Sequence, residues 1–133
     1  MHLIVCMDDR DGMAFGTRRV SSDREVCRRI LQLVSGSRLW MNAYSAKLFE
    51  GVDATVSEDF LTEAGEGEYA FCENTPIPTD GIQPESVILF RWNRRYPATV
   101  KFSRELLQKM HLTHTEDFPG NSHDKITMER YCL

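Results

Sequence analysis

Apolar residues along this chain fall into short blocks with two kinds of spacing. Residues 2–7, 69–72 and 87–90 are short, nearly continuous apolar runs, which are typical of strands buried on both faces of a parallel sheet. Between residues 22 and 36 the apolar side chains recur every three or four positions, and Gly36 favours a helix end there. The pattern therefore predicts buried strands joined by helices.

The most informative stretch is a predicted strand that turns directly into a helix. The apolar run over residues 39–41 stops at position 42, and helical spacing then continues as far as Gly51. The first backbone N–H groups of a helix have no intrahelical partner and carry the positive end of its dipole, so anions bind there. We expect a small phosphorylated metabolite or nucleotide as the ligand. The expected contacts are the backbone of Asn42, Ala43 and Tyr44 and the hydroxyl of Ser45.

The rest of the pattern completes a fold prediction. A short strand is expected over residues 52–56 and a brief helix over 58–64, whereas prolines exclude a regular helix through most of 75–84. Partial alternation predicts antiparallel strands in the C-terminal part, at residues 99–102, 110–118 and 125–131. We predict a three-layer α/β domain over residues 1–133, with a mostly parallel sheet and antiparallel C-terminal edge strands.

Composition narrows the class of protein. The chain has 133 residues, 41% hydrophobic and 27% charged, and a net charge of −4. One domain is expected at this length, and the acidic balance argues against nucleic acid or an anionic membrane as a partner. No apolar run approaches the roughly 18 to 20 residues of a membrane span. The four cysteines show no CxxC spacing, so we expect reduced thiols and a cytoplasmic location.

Four segments, in this order, resemble dihydrofolate reductase. Residues 3–16 resemble its first strand and the asp/asn-gly loop, and residues 38–45 resemble its M-G-[RK]-x-T turn. Residues 96–102 resemble its D-T-x-F-P segment, and residues 122–130 resemble its closing S-x-x-x-x-F-x-x-x-x-R strand. The resemblance implies a dihydrofolate-reductase-like fold with a ligand crevice at the carboxyl ends of the parallel strands.

The departures from the family pattern fall where its cofactor binds. Asn42 and Ala43 stand where the motif has glycine and a basic residue, which removes a charge-assisted phosphate contact worth roughly 1.5–3 kcal/mol. Glu73 and Asn74 replace a glycine pair that approaches the dinucleotide, and proline-rich sequence replaces the next helix. We therefore expect a protein that is not a competent folate reductase, and NADPH is disfavoured as a cofactor.

The catalytic acid is the remaining test of activity. The resemblance implies an acidic residue at the first helix, for which Asp23 and Glu25 are the candidates. A structural interpretation is preferred, since Ser22 and Glu25 have capping-box spacing and Asp23 suits a first helical turn. Two alternatives stay open: an NAD(P)H-dependent reductase with an altered cofactor site that uses Asp23 or Glu25, and a non-catalytic protein-interaction domain.

Two further patterns have simpler interpretations than a binding site. His111 and His114 would share one face only on a helix, and their surroundings favour a strand, so no metal site is predicted there or at His123 and Asp124. Residues 91–96 interleave arginines with aromatic side chains. That pattern is compatible with single-stranded nucleic acid, but a solvated strand end is preferred in an acidic chain.

Overall fold

The structure is a computed structural model that describes residues 1–133. The strands are β1 His2–Met7, β2 Gly12–Phe15, β3 Arg18–Arg19, β4 Leu39–Met41, β5 Thr55–Val56, β6 Tyr69–Cys72, β7 Ser86–Arg91, β8 Val100–Lys101, β9 His111–Phe118 and β10 Ile126–Cys132. The α-helices are α1 Arg24–Leu33, α2 Ala43–Ala46 and α3 Phe60–Glu63, and 3₁₀ helices cover Lys47–Phe49 and Arg104–Leu107.

Seven strands form the main sheet, in the order β5-β4-β6-β1-β7-β10-β9. The pairs from β5 to β7 are parallel, and β10 pairs antiparallel with both β7 and β9. This arrangement confirms the predicted mostly parallel sheet with antiparallel C-terminal edge strands. The short strands β3, β2 and β8 form a separate three-stranded sheet.

Helices cover both faces of the main sheet and give the predicted three layers. On one face, Val26 and Ile30 of α1 pack in a core that includes Ile4 of β1. On the other face, Phe60 of α3 packs in a second core that includes Leu3 of β1. Neighbouring residues of β1 enter opposite cores because successive strand side chains point to opposite faces. A strand buried on both faces must be apolar throughout, which explains the continuous run in β1.

The element predictions differ from the structure in several details. The strand predicted at residues 99–102 is β8, which pairs with β2 outside the main sheet, and the 3₁₀ helix Arg104–Leu107 was not predicted. Helix α1 has Asp23 as its N-cap, with the side chain accepting from Glu25 N, so the capping box built on Ser22 is wrong. The helix predicted through Gly51 is two short pieces, α2 and the 3₁₀ turn Lys47–Phe49. Strands β2 and β3 were missed because they are only four and two residues long.

No helix is both long and apolar enough to cross a membrane. The longest, α1, has 10 residues. The expected cytoplasmic location stays a prediction.

Candidate functional site

Buried polar side chains gather at the carboxyl ends of the parallel strands. Asp8 follows β1, Asn42 follows β4 and Glu73 follows β6, and each is 5% exposed or less. Asp23 and Ser45, at the starts of α1 and α2, are also buried. In an open α/β sheet ligands bind outside these strand ends, so these side chains are the first candidates for ligand contacts.

The Glu73 carboxylate is already fully engaged by the protein. Its Oε2 accepts from Arg19 Nε at 2.7 Å, and its Oε1 accepts from Arg19 Nη2 at 3.0 Å and from the Ser45 hydroxyl at 2.7 Å. The Arg19 guanidinium also lies over the Tyr44 ring, 4.4 Å from its centroid. Arg19, which lies on β3, therefore neutralises the Glu73 carboxylate through a bidentate ion pair at the end of β6.

Two of the predicted phosphate contacts at the start of α2, the Ala43 N–H group and the Ser45 hydroxyl, have partners within the chain. Ala43 N donates to Glu58 Oε2 at 2.9 Å, and Ser45 N donates to the Asn42 side-chain oxygen at 3.0 Å. The Ser45 hydroxyl is the one that donates to Glu73, and the Tyr44 hydroxyl accepts from Arg19 N at 3.0 Å. Two carboxylates thus lie where an anion was expected. Phosphate binding by these residues stays a prediction, and a ligand there has to displace Glu58.

Asp23 is saturated with hydrogen bonds from distant parts of the chain. Its Oδ1 accepts from the backbone N–H groups of Glu25 and Asn121 at 2.8 and 2.9 Å. Its Oδ2 accepts from Ser122 N at 2.8 Å, from the Ser122 hydroxyl at 3.1 Å, and from His123 Nδ1 at 2.9 Å. Burial alone would raise the pKa of Asp23, but these hydrogen bonds hold it far below its ordinary value. Such a carboxylate stays ionised and is a poor proton donor.

Glu25, the second candidate acid, faces two arginines, the exposed Arg28 and the half-buried Arg29. It forms ion pairs with Arg28 and Arg29 on the same helix. Hydrogen bonding to Arg28, ahead of the other effects, lowers the pKa of Glu25. Neither candidate is therefore poised to deliver a proton near neutral pH, and their catalytic role stays a prediction.

An open cleft of about 520 Å³ runs along α1 beside this cluster. Its apolar part is formed by Cys27, Leu31 and Leu48. Its polar part includes Arg24 and Arg28 on α1, and Ser122 with Asn121 opposite them. Arg28 is paired with Glu25, whereas Arg24 forms no ion pair. The cleft therefore combines an apolar floor with positive charge at its rim.

The buried thiols are not activated nucleophiles. Burial, reinforced by the nearby Glu73 carboxylate, raises the pKa of Cys27 to about 11. Burial also raises the pKa of Cys72 to about 12. All four cysteines are free. Because the thiolate is the reactive form, Cys27 and Cys72 act as packing groups at neutral pH.

No group of three or more His, Cys, Asp or Glu side chains is placed to hold a metal ion. His111 and His114 lie on β9, as predicted, and both are exposed. His123 lies apart from them, hydrogen-bonded to Asp23. The basic and aromatic side chains of segment 91–96 do not form one surface either. Arg91 pairs with Glu129, and Trp92 is buried.

Comparison with known proteins identifies the fold. No family profile and no curated sequence matches the chain. Among solved structures, dihydrofolate reductase from Enterococcus faecalis, complexed with NADP(H) and RAB-propyl, matches with a TM-score of 0.72. The match covers 98% of this chain and 94% of that chain, at 8% sequence identity. The chain therefore has a dihydrofolate-reductase-like fold, as the sequence resemblance predicted, and similarity at this identity extends to the fold alone.

The sequence predicted where the buried acidic residues lie but not which side chains they contact. It placed Asp23 at the start of α1 and Glu73 at the end of β6, but it did not connect Arg19 to Glu73 or His123 to Asp23. The two pairs are separated by 54 and 100 positions in the chain. No local signal links residues so far apart, because only the folded sheet brings them together.

Proposed function

We propose that this protein is a dihydrofolate-reductase-like binding domain without folate reductase activity. We further propose that the cleft along α1 binds a small anionic ligand with an apolar portion, such as a nucleotide or a phosphorylated metabolite. The observation that carries the proposal is the cleft of about 520 Å³ itself, with Leu31 and Leu48 at its floor and the unpaired Arg24 at its rim.

Three carboxylates argue against reductase activity. Asp23, the candidate acid, accepts five hydrogen bonds from its own chain, so no acceptor position is left for a substrate. Glu73 places a buried carboxylate at the end of β6, and Glu58 occupies Ala43 N. An anionic dinucleotide such as NADP(H), which the matched reductase contains, fits poorly at the start of α2, because it has to displace the Glu58 carboxylate from Ala43 N.

The ligand class follows from the chemistry of the cleft walls. Small-molecule sites are mostly apolar with a few placed polar groups, and this cleft falls within the usual range of volumes. A flat or aliphatic ligand body can cover Leu31 and Leu48, while an anionic group reaches Arg24. Arginine suits phosphate and carboxylate because its guanidinium offers a planar fork of donors.

The test is thermal unfolding of the protein against nucleotides, phosphorylated metabolites, folates and NADPH. A ligand present at 100 times its dissociation constant adds about 2.7 kcal/mol to the free energy of unfolding. We expect stabilisation by at least one nucleotide or phosphorylated compound. Stabilisation by NADPH together with turnover of dihydrofolate would instead establish the reductase alternative.

Two substitutions locate the bound ligand. Arg24→Gln is expected to weaken the stabilising ligand about tenfold, because it removes one charge-assisted hydrogen bond. Arg18→Gln removes an exposed arginine on β3 and is the matched control, expected to leave the affinity unchanged. Weakening by Ala43→Asp in place of Arg24→Gln would assign the ligand to the start of α2, as predicted from the sequence. If neither Arg24→Gln nor Ala43→Asp changes the affinity, both proposed sites are wrong.

A protein-interaction role receives less support from the surface. The large hydrophobic side chains that are exposed are Phe15, Val56, Leu112 and Leu133. They belong to β2, β5, β9 and the C-terminus, so they are not one segment. If no ligand in the panel stabilises the protein against thermal unfolding, this role is favoured, and a partner protein would then have to be sought.

A further inference from the structure

Three side chains beside the cleft form a relay that the proposed binding function does not use. Ser21 Oγ lies 2.9 Å from His123 Nε2. On the other side of the ring, His123 Nδ1 lies 2.9 Å from Asp23 Oδ2. A hydroxyl within hydrogen-bond distance of a histidine that is oriented by a third group is the arrangement of an activated nucleophile. The residues come from the β3–α1 connection and from the loop before β10.

The partners of His123 define which ring nitrogen carries the proton. The Asp23 carboxylate only accepts hydrogen bonds, so His123 Nδ1 is assigned as the N–H donor to it. His123 Nε2 is then the acceptor and faces the Ser21 hydroxyl. The Ser122 hydroxyl lies 3.2 Å from Nδ1, farther than Asp23 Oδ2. The Tyr96 hydroxyl is the other neighbour of Nε2, 3.4 Å from both Nε2 and Ser21 Oγ. At that distance it is the weaker competitor for the imidazole nitrogen.

The surroundings hold the imidazole in place. His123 is 5% exposed, and the Trp92 ring stacks on it with centroids 4.7 Å apart and an interplanar angle of 25°. Ser21 is only partly buried, so the hydroxyl end of the relay is reachable from outside. A fixed base and an accessible hydroxyl are what acyl transfer requires.

A second observation points to a ligand at the same place. The Trp92 indole N–H is buried and has no hydrogen-bond acceptor in the protein. Trp92 and Ser21 both line a small cavity of about 10 Å³. That is room for about one water-sized group, and a carbonyl oxygen there would give the orphaned donor its acceptor. Asp23 and Cys27 line both this cavity and the large cleft, which makes the two spaces neighbours.

We propose that Ser21, His123 and Asp23 form a nucleophilic site that cleaves carboxylic esters. Ser21 Oγ bonds to the ester carbonyl carbon while its proton passes to His123 Nε2. The carbon–oxygen bond to the alcohol then breaks, and the alcohol leaves with that proton. Water attacks the acylated Ser21 in the same way, giving the carboxylic acid and restoring the serine hydroxyl. Asp23 stays ionised throughout and keeps Nδ1 protonated.

The two spaces define the substrate class. The small cavity accepts the carbonyl oxygen beside the Trp92 indole N–H, and the remainder of the ester lies in the cleft along α1. The apolar floor and arginine rim favour an ester whose body is apolar and carries a negative charge. The relay itself involves different atoms from the ligand contacts at Arg24, so either proposal can fail without the other.

The test is covalent labelling of the full-length protein with an alkyl fluorophosphonate. Serine attack displaces fluoride, and the proton goes to the histidine. Trypsin cleaves after Arg19 and after Arg24, so it releases residues 20–24 as one peptide. Fragmentation of that peptide separates Ser21 from Ser22. We expect labelling at Ser21, at a rate far above that of the exposed Ser37, whose substitution by alanine leaves the rate unchanged.

Variants test the relay, with thermal unfolding confirming that each is folded. Ser21→Ala is expected to abolish labelling of the 20–24 peptide, and His123→Gln to lower the labelling rate about 100-fold or more, as loss of a general base does. Absence of labelling in the folded wild-type protein, labelling at Ser22, or an unchanged rate in His123→Gln would each overturn the proposal. The cluster would then serve only to tie the loop to α1.

Discussion

A single carboxylate, Asp23, links two segments that lie about 100 positions apart in the chain. It caps α1 through Glu25 N and also accepts from Asn121, Ser122 and His123. From the sequence it is one of two acids near a helix start, where a structural role is preferred over a catalytic one. The number and origin of its hydrogen bonds favour the structural role, because each donor stabilises the ionised form.

We expect Asp23→Asn to destabilise the protein at pH 7 by about 3 kcal/mol, the scale of losing hydrogen bonds to a charged group. The folded-state pKa of Asp23 is lowered, so its contribution is present above the unfolded pKa and is lost as pH falls toward the folded value. The difference between wild type and variant should therefore narrow below about pH 4. Urea unfolding at pH 7 and pH 3 measures it, and an equal difference at both would contradict the assignment.

At the scale of elements, the loop between β9 and β10 determines how α1 is fixed to the sheet. Gly120 N donates to His123 O at 2.9 Å, which folds the loop so that its donors meet Asp23. A Cβ atom added at Gly120 would lie 2.6 Å from Asp23 Oδ2 and 2.8 Å from Ile126 Cδ1. The loop is therefore packed too closely against α1 and β10 for any side chain at this position.

Gly120→Ala is accordingly expected to lower the free energy of unfolding by about 1–3 kcal/mol, the usual range for overpacking. Gly65→Ala is the matched control, since its added Cβ would meet only the Glu68 side chain, at 3.3 Å and not below 3 Å. A smaller loss is expected there. Denaturant unfolding of the two variants compares them, and a loss at Gly65→Ala as large as that at Gly120→Ala would count against the close approach to Asp23.

At the scale of the whole molecule, the sheet has a protected centre and an open edge. Strand β1 lies between β6 and β7, and Leu3, Ile4 and Val5 are completely buried. Strand β9 is the last strand of the sheet and is exposed over most of its length. One row of backbone groups on β9 therefore has no neighbouring strand, which is a surface on which another strand can pair.

Hydrogen exchange should distinguish β1 from β9. Amides of β1 are expected to exchange only through global unfolding, whereas the outward-facing amides of β9 should exchange faster, because opening them requires no core to be broken. Peptide-resolved deuterium uptake measures the difference. Equal protection of β9 and β1 would mean that another chain covers the edge, and would favour the protein-interaction alternative.

The sequence by itself determined the main strands and α1, since apolar period and turn residues act over a few neighbouring positions. Continuous apolar runs predicted β1 and β6, and helical spacing followed by Gly36 predicted α1. It also placed Asn42 and Ser45 correctly at a strand-to-helix turn. Hydrophobic patterning could do this because burial on two faces, or on one face of a helix, leaves its own spacing in the chain.

Only the tertiary structure decided what the polar residues at that turn do. Whether the Ala43 N–H group and the Ser45 hydroxyl are free for a phosphate depends on Glu58 and Glu73, which follow them by 15 and 28 positions. Whether Ser21 is an ordinary loop serine or part of a relay depends on His123, 102 positions later. Hydrogen bonds act over about 3 Å, and the sheet alone brings residues so distant in sequence within that range.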